Sequence, residues 1–182
     1  MLVTLVTIVI FVDKTQARRL AKDLKKVITD ADILNRQKEI LTFLMTYEPF
    51  LNAEKVGLYY PIENEVNLLI LIHLYPNKTF YFPKTEKDKK LTFRVVSDFS
   101  KLIKGKFGLK EPDKNAPIED NIDCYLVPCV ATSGLYRIGH GAGFYDNYFQ
   151  DHKGHKIGIV HKLLKDLDVE MNEFDIPMDI II

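Results

Sequence analysis

Residues 137–147, RIGHGAGFYDN, gather side chains whose types and spacing suit one kind of chemistry. Gly139, Gly141 and Gly143 alternate between a guanidinium at Arg137 and a carboxylate at Asp146, in a 182-residue chain with nine glycines in all. A glycine-rich turn lets successive main-chain N–H groups point into one concavity, and a helix opening just after it adds unpaired donors and partial positive charge. Phosphate is the natural guest of that geometry. Arg137 can add a planar fork of charged donors. Asp146 can hold Mg²⁺, which commonly takes one or two carboxylates, phosphate oxygens and water. The pattern is not the dinucleotide fingerprint, because the third glycine comes one residue early, and no G-K-[ST] ending marks a P-loop. A tight strand-to-helix turn without a ligand would also explain the glycines alone. Arg137, Tyr145 and Asp146 tip the reading toward an anion site.

The elements that must carry this segment can be read from hydrophobic period. In residues 14–28 the apolar positions Ala17, Leu20, Leu24, Val27 and Ile28 have helical spacing, with Arg18, Arg19, Lys22, Lys25 and Lys26 largely off that face. A second helix starts near Asp30 or Asp32, either of which can cap it, and runs through Ile40, Leu41 and Leu44. KVGLYY then reads as a short buried strand, NLLILIHLY as a buried helix, and TFYF as a strand ended by Pro83. LTFRVV is a strand entered from the charged turn TEKDKK, and KGKFGLKEPDKNAP a long surface loop. CYLVPCV is a central strand, FYDNYFQ a helix, KIGIV a strand and MDIII a terminal strand. Strands alternating with helices predict an α/β layered domain with a mostly parallel sheet, one domain over residues 13–182.

Composition narrows the partners. The 25 basic and 25 acidic residues balance, which argues against nucleic acid or an anionic membrane surface. Cys124 and Cys129 sit in an apolar run without further thiols, so they read as reduced and buried, and the chain as cytoplasmic. MLVTLVTIVIFV at residues 1–12 is apolar but well short of the roughly 20 residues that span a bilayer. It also lacks the positive start and small-residue cleavage site of a signal peptide. A buried or edge strand, an upstream-start artefact and a membrane anchor all stay open for it.

VPCVATSGLYRIGHGAGFYDNYF resembles the signature of the 5-formyltetrahydrofolate cyclo-ligase family, V-P-x-x-A-F-D-x-x-G-x-R-L-G-x-G-x-G-Y-Y-D. LYYPIENEVN, YFPK, KFGLKEP, EFDIPMD and the pair Lys14-x-x-x-Arg18 match further family elements in order, over nearly the whole chain after the first dozen residues. The resemblance implies a three-layer α/β/α sandwich similar to sugar-phosphate isomerase and CoA transferase folds. It implies conversion of 5-formyltetrahydrofolate to 5,10-methenyltetrahydrofolate with ATP and Mg²⁺, in a monomer without nucleic-acid or membrane partners. It implies ATP contacts from Lys14, Arg18, Arg137, Gly139, His140, Gly141, Ala142, Gly143, Phe144 and Tyr145, with Arg137 and Tyr145 catalytic. Folate would meet Tyr60, Glu65 and the loop residues His140, Gly141, Ala142, Gly143 and Phe144. Mg²⁺ would be held by Asp146 and Asp175.

Departures from the family pattern accompany these matches. The turn ATSGLYR is one residue short and lacks Phe-Asp after Ala131. His140 stands where an aromatic, Met or Arg is usual, Ala142 where Lys or Gly is frequent, and Asn147 where Arg is common. A folate- or nucleotide-binding relative without turnover is therefore the alternative. A sugar-phosphate or CoA-ester enzyme on a similar fold is a second. Without the family match, Lys14 and Arg18 read as a solvated face, Tyr60 as a core aromatic and Asp175 as a turn residue before Pro177.

Overall fold

The computed structural model describes residues 13–62, 64–96, 98–105 and 110–182, so the expectations for residues 1–12 lie outside the described residues. The first helix, α1 (Lys14–Leu24), opens on a capping box in which Asp13 accepts from Thr15 N and Gln16 N while Gln16 Oε1 accepts from Asp13 N. It ends four residues before Ile28. Its buried contacts are made by Ala17 and Ala21, while Leu20 and Val27 are exposed. The second helix, α2 (Asp30–Leu44), is capped by Thr29 rather than by an aspartate: Asp32 N donates to Thr29 Oγ1 and Thr29 N returns the bond to Asp32 Oδ2. A short helix, α3 (Glu48–Leu51), follows.

Strands β1 (Lys55–Gly57), β2 (Thr79–Thr85), β3 (Leu91–Val95), β6 (Cys124–Pro128), β9 (His155–Ile159) and β10 (Ile180–Ile181) form a six-stranded sheet in the order β10-β9-β6-β1-β2-β3. Only the β2–β3 pair is antiparallel among these neighbours. The mostly parallel α/β expectation therefore holds. Successive residues of β6 face opposite cores, as strand geometry requires. Tyr125 and Val127 pack with α1 and with α5 (Phe144–Asp151). Cys124 and Leu126 pack on the other face with Ile40, Leu44 and Phe50 of α2 and α3. These are the three layers.

Several expectations are corrected. NLLILIHLY forms only one helical turn, α4 (Leu71–Leu74), with Ile70 and Leu74 exposed. Asn67 Oδ1 takes the amide of Leu69, which starts a turn there, and the chain leaves the helix at Tyr75, just before Pro76. TFYF does not stop at Pro83; β2 continues to Thr85. Since β1 reaches only Tyr81, a missing N–H on that side of Pro83 withdraws no bond from the β1 ladder. The expected long loop contains a small antiparallel pair, β4 (Ile103–Lys104) with β5 (Lys110–Glu111). Glu111 of that pair is buried, against Lys84 and Thr85 of β2. A second small sheet, β7 (Ala131–Ser133) with β8 (Tyr136–Ile138), stands where a plain strand-to-helix turn was expected.

Candidate active site

The parallel strands β1, β6 and β9 point their carboxyl ends to one edge of the sheet, where ligands sit in open α/β folds. Past β6 the chain does not enter α5 directly. It runs through Cys129 and Val130 into the β7–β8 hairpin, turned at Gly134 with φ +53°, and Val130 N closes it onto Ile138 O at 2.9 Å. The two-residue period of β8 buries Ile138 in the core and sends neighbouring Arg137 to the other side of the strand.

Arg137 is itself buried. Its Nη2 donates to Asp146 Oδ2 at 2.9 Å, and its Cζ lies 5.1 Å from the centre of the Tyr145 ring. Its Nε is buried without a hydrogen-bond acceptor, alone among buried side-chain N and O atoms of the described residues. Gly139 makes room for this guanidinium: a Cβ there would stand 2.1 Å from Nη1. Gly141 and Gly143 adopt φ of +99° and +74°, which side chains rarely tolerate, and Gly143 caps α5 with no side-chain bond to the helix amides. Among the described residues none of the main-chain amides of residues 139–146 donates a hydrogen bond. The sequence-based picture of open amides between a guanidinium and a carboxylate is therefore present in the structure, and Asp146 lies in the first turn of α5, where the helix dipole favours an anion. Tyr145 and Phe149 anchor α5 on an aromatic cluster with Phe93 and Tyr125.

Helix α1 closes the other wall. Arg18 Nε donates to Gly139 O at 2.7 Å, and a Cβ at Gly141 would touch its guanidinium carbon at 3.4 Å. One turn earlier, the Lys14 ammonium meets both carboxylate oxygens of Asp175, whose side chain is 12% exposed. Lys14, Arg18, Arg137, Asp146 and Asp175 thus surround the glycine loop in two ion pairs and one latch. Asp146 Oδ1 has no protein partner among the described residues. The described residues contain no group of three or more His, Cys, Asp or Glu placed to hold a metal. A two-carboxylate Mg²⁺ site completed by phosphate oxygens does not need one.

The segment 58–66 is built separately. Tyr59 Oη donates to Val66 O at 2.6 Å, Asn64 takes a left-handed φ of +64°, and Ile62 N donates to Glu65 Oε2 at 3.1 Å. Glu65 Oε1 then stands 4.0 Å from Nε2 of the exposed His140. The carboxylate expected to meet folate and the glycine loop expected to meet ATP are brought together at this point. Tyr60 is not a core aromatic: it lies half-buried against Phe99, and Lys110 Nζ donates to its hydroxyl at 3.2 Å from above the ring. The sequence reading did not place Lys110 beside this ring. Its signal, a lysine beside the buried Glu111, was hidden by reading the segment as loop. No described contact joins Tyr60 to the glycine loop.

Neither thiol is exposed for attack, since Cys124 and Cys129 are both buried. Burial pushes Cys124 and Cys129 from 9.0 up to about 12, so both remain protonated near neutrality. Burial likewise pushes the Tyr145 hydroxyl well up, against the opposing effect of Arg137, so it stays protonated near neutrality.

The family model described as the 5-formyltetrahydrofolate cyclo-ligase family matches residues 11–182. A 5-formyltetrahydrofolate cyclo-ligase of Mycoplasma genitalium is 31% identical over 188 residues, covering 94% of this chain and 98% of that one. The solution structure of a 5,10-methenyltetrahydrofolate synthetase from Aquifex aeolicus superposes with a TM-score of 0.79 at 26% identity, covering 92% of this chain and 88% of that one. A Mycoplasma pneumoniae synthetase structure shares the fold with a TM-score of 0.74 at 23% identity, covering 93% and 98%.

Proposed function

This chain belongs to the 5-formyltetrahydrofolate cyclo-ligase family, and on that premise we propose that it converts 5-formyltetrahydrofolate to 5,10-methenyltetrahydrofolate with MgATP, releasing ADP and phosphate. The N5-formyl oxygen is a poor leaving group. ATP supplies the phosphoryl group that turns it into a good one, after which N10 closes the ring and phosphate departs. Such a step asks the protein to position two reactants and stabilise negative charge, without a covalent nucleophile. The protonated, buried cysteines agree with that demand.

The observation that carries the reading is the buried Arg137, with an unpaired Nε, beside a run of unpaired main-chain amides. Buried donors left unmatched cost free energy and persist at sites where a partner is to come. A triphosphate matches them in charge and in number of acceptors. Arg137 and the glycine-loop amides would hold the transferring phosphoryl group, and the Tyr145 hydroxyl would donate to the reacting oxygen. Lys14 and Arg18 would hold the phosphate tail, with His140, Ala142 and Phe144 lining the shared wall. Glu65 would orient folate through its pterin or N10 hydrogens, with Tyr60 beside it.

The two acids fit Mg²⁺ with a condition attached. Each already faces a cation proposed for phosphate: Asp146 faces Arg137, and Asp175 faces Lys14. A magnesium–triphosphate complex offers metal to both carboxylates and oxygens to both cations, so neither exchange leaves a charge bare. Mg²⁺ would supply neutralisation of the phosphates there.

Purified protein incubated with 5-formyltetrahydrofolate, Mg²⁺ and ATP is expected to develop methenyl absorbance, dependent on both ATP and metal. Product without ATP, or none with it at high enzyme concentration, would contradict the proposal. In the second case a binding relative without turnover becomes the better reading.

A further inference from the structure

Among the described phenylalanines and tyrosines Phe174 alone stands mostly in solvent, 66% exposed. Isolated exposed apolar side chains are ordinary on protein surfaces. Two observations set this one apart. A closed turn presents it: Phe174 N donates to Asn172 Oδ1 at 3.0 Å, Asp175 N to Asn172 O at 3.1 Å, and Asn172 N to Asp175 Oδ2 at 2.7 Å. Its neighbour in the chain is Asp175, whose carboxylate is ion-paired with Lys14 on α1. Chain connectivity therefore puts the Phe174 backbone beside the Lys14–Asp175 pair, at the margin of the charged cluster, with its ring turned to solvent.

Charged groups and amides bind a triphosphate without touching the base. A heteroaromatic base has two apolar faces, and a rigid aromatic ring beside a phosphate site is the chemistry that holds one. We propose that Phe174 is the platform on which the base of the bound nucleotide stacks. The inference rests on the reading of the glycine loop as a triphosphate site. Stacking tolerates any base, so Phe174 is expected to separate nucleotides from inorganic tripolyphosphate more than ATP from GTP.

The chain contains no tryptophan, so Phe174→Trp places a single reporter at this position. Saturating MgADP is expected to quench or shift its emission, whereas magnesium tripolyphosphate, which has no base, leaves the emission unchanged. In calorimetry Phe174→Ala is expected to weaken MgADP about tenfold, within the range that an aromatic–base stack contributes, and to bind tripolyphosphate as the wild type does. Unaltered emission at saturating MgADP, or equal MgADP affinity in Phe174→Ala and wild type, overturns the assignment while leaving the triphosphate site standing. A wild-type chain that binds neither MgADP nor tripolyphosphate overturns the triphosphate reading itself, and this inference with it.

Discussion

At the scale of single residues, Gly139 matters for what it lacks. A methyl group there would lie 2.1 Å from Arg137 Nη1, so Gly139→Ala must move the guanidinium away from Asp146. The expected result is a fall in kcat/KM of about 10²-fold, typical of losing one aligned donor to a developing charge. Because the buried Arg137 is parted from its acid, the thermal midpoint should also fall, and kcat/KM is to be read below the variant's own transition. Wild-type kinetics would mean that Arg137 is not aimed at the reaction. Arg137→Lys keeps the charge but loses the planar fork, and is expected to retain no more than about 1% of activity. The alternation of glycines pointed to this place from sequence alone, but the reason for each glycine did not show. Gly139 clears space for a side chain two residues away and Gly141 for Arg18, 123 positions earlier, and spacing along the chain carries neither fact.

At the scale of elements, two fastenings hold the substrate side in place. Tyr59→Phe removes the hydroxyl bond to Val66 O that closes the segment carrying Glu65. It should cost about 1–3 kcal/mol in urea denaturation, because a buried carbonyl loses its partner, and should raise KM for folate more than KM for ATP. Glu111→Ala leaves the Lys84 ammonium, 8% exposed, without its acid and frees Thr85 as well. About 3–5 kcal/mol of destabilisation is expected, measured by the same denaturation, and a loss under 1 kcal/mol would show that water replaces the carboxylate. The long periodic helices and the six sheet strands could be found in the sequence because their apolar residues repeat. The β7–β8 hairpin could not: its arms, ATS and YRI, hold no apolar run like the VGLYY and DIII that marked strands just as short. The same lack of an apolar run hid β4 and β5, and with them Lys110. In NLLILIHLY the apolar run was real but its helical reading was overridden by turn chemistry at Asn67 and by Pro76.

At the scale of the whole molecule, the order β10-β9-β6-β1-β2-β3 gathers residues from 14 to 175 at one sheet edge, and pairing order is not written in local pattern. The family resemblance named these residues as candidates; it could not say that Lys14 faces Asp175 or Arg137 faces Asp146. The buried core also sets a limit at high pH. The Cys124 and Cys129 thiols titrate near 9.0 when unperturbed and near 12 in the fold, because burial disfavours the thiolate. Their raised values contribute stability that is complete below about pH 9 and is lost as pH rises toward 12. The urea midpoint should therefore fall between pH 8 and about pH 11 by more in wild type than in a Cys124→Ala/Cys129→Ala double variant, each compared with its own value at pH 8. Equal falls would place the alkaline sensitivity elsewhere. In ¹⁵N-labelled protein, the amide resonances of Gly139, Gly141 and Gly143 should shift saturably on titration with MgADP, in step with its calorimetric binding. Saturating binding with those three resonances unmoved would take the glycine-loop amides out of the nucleotide site.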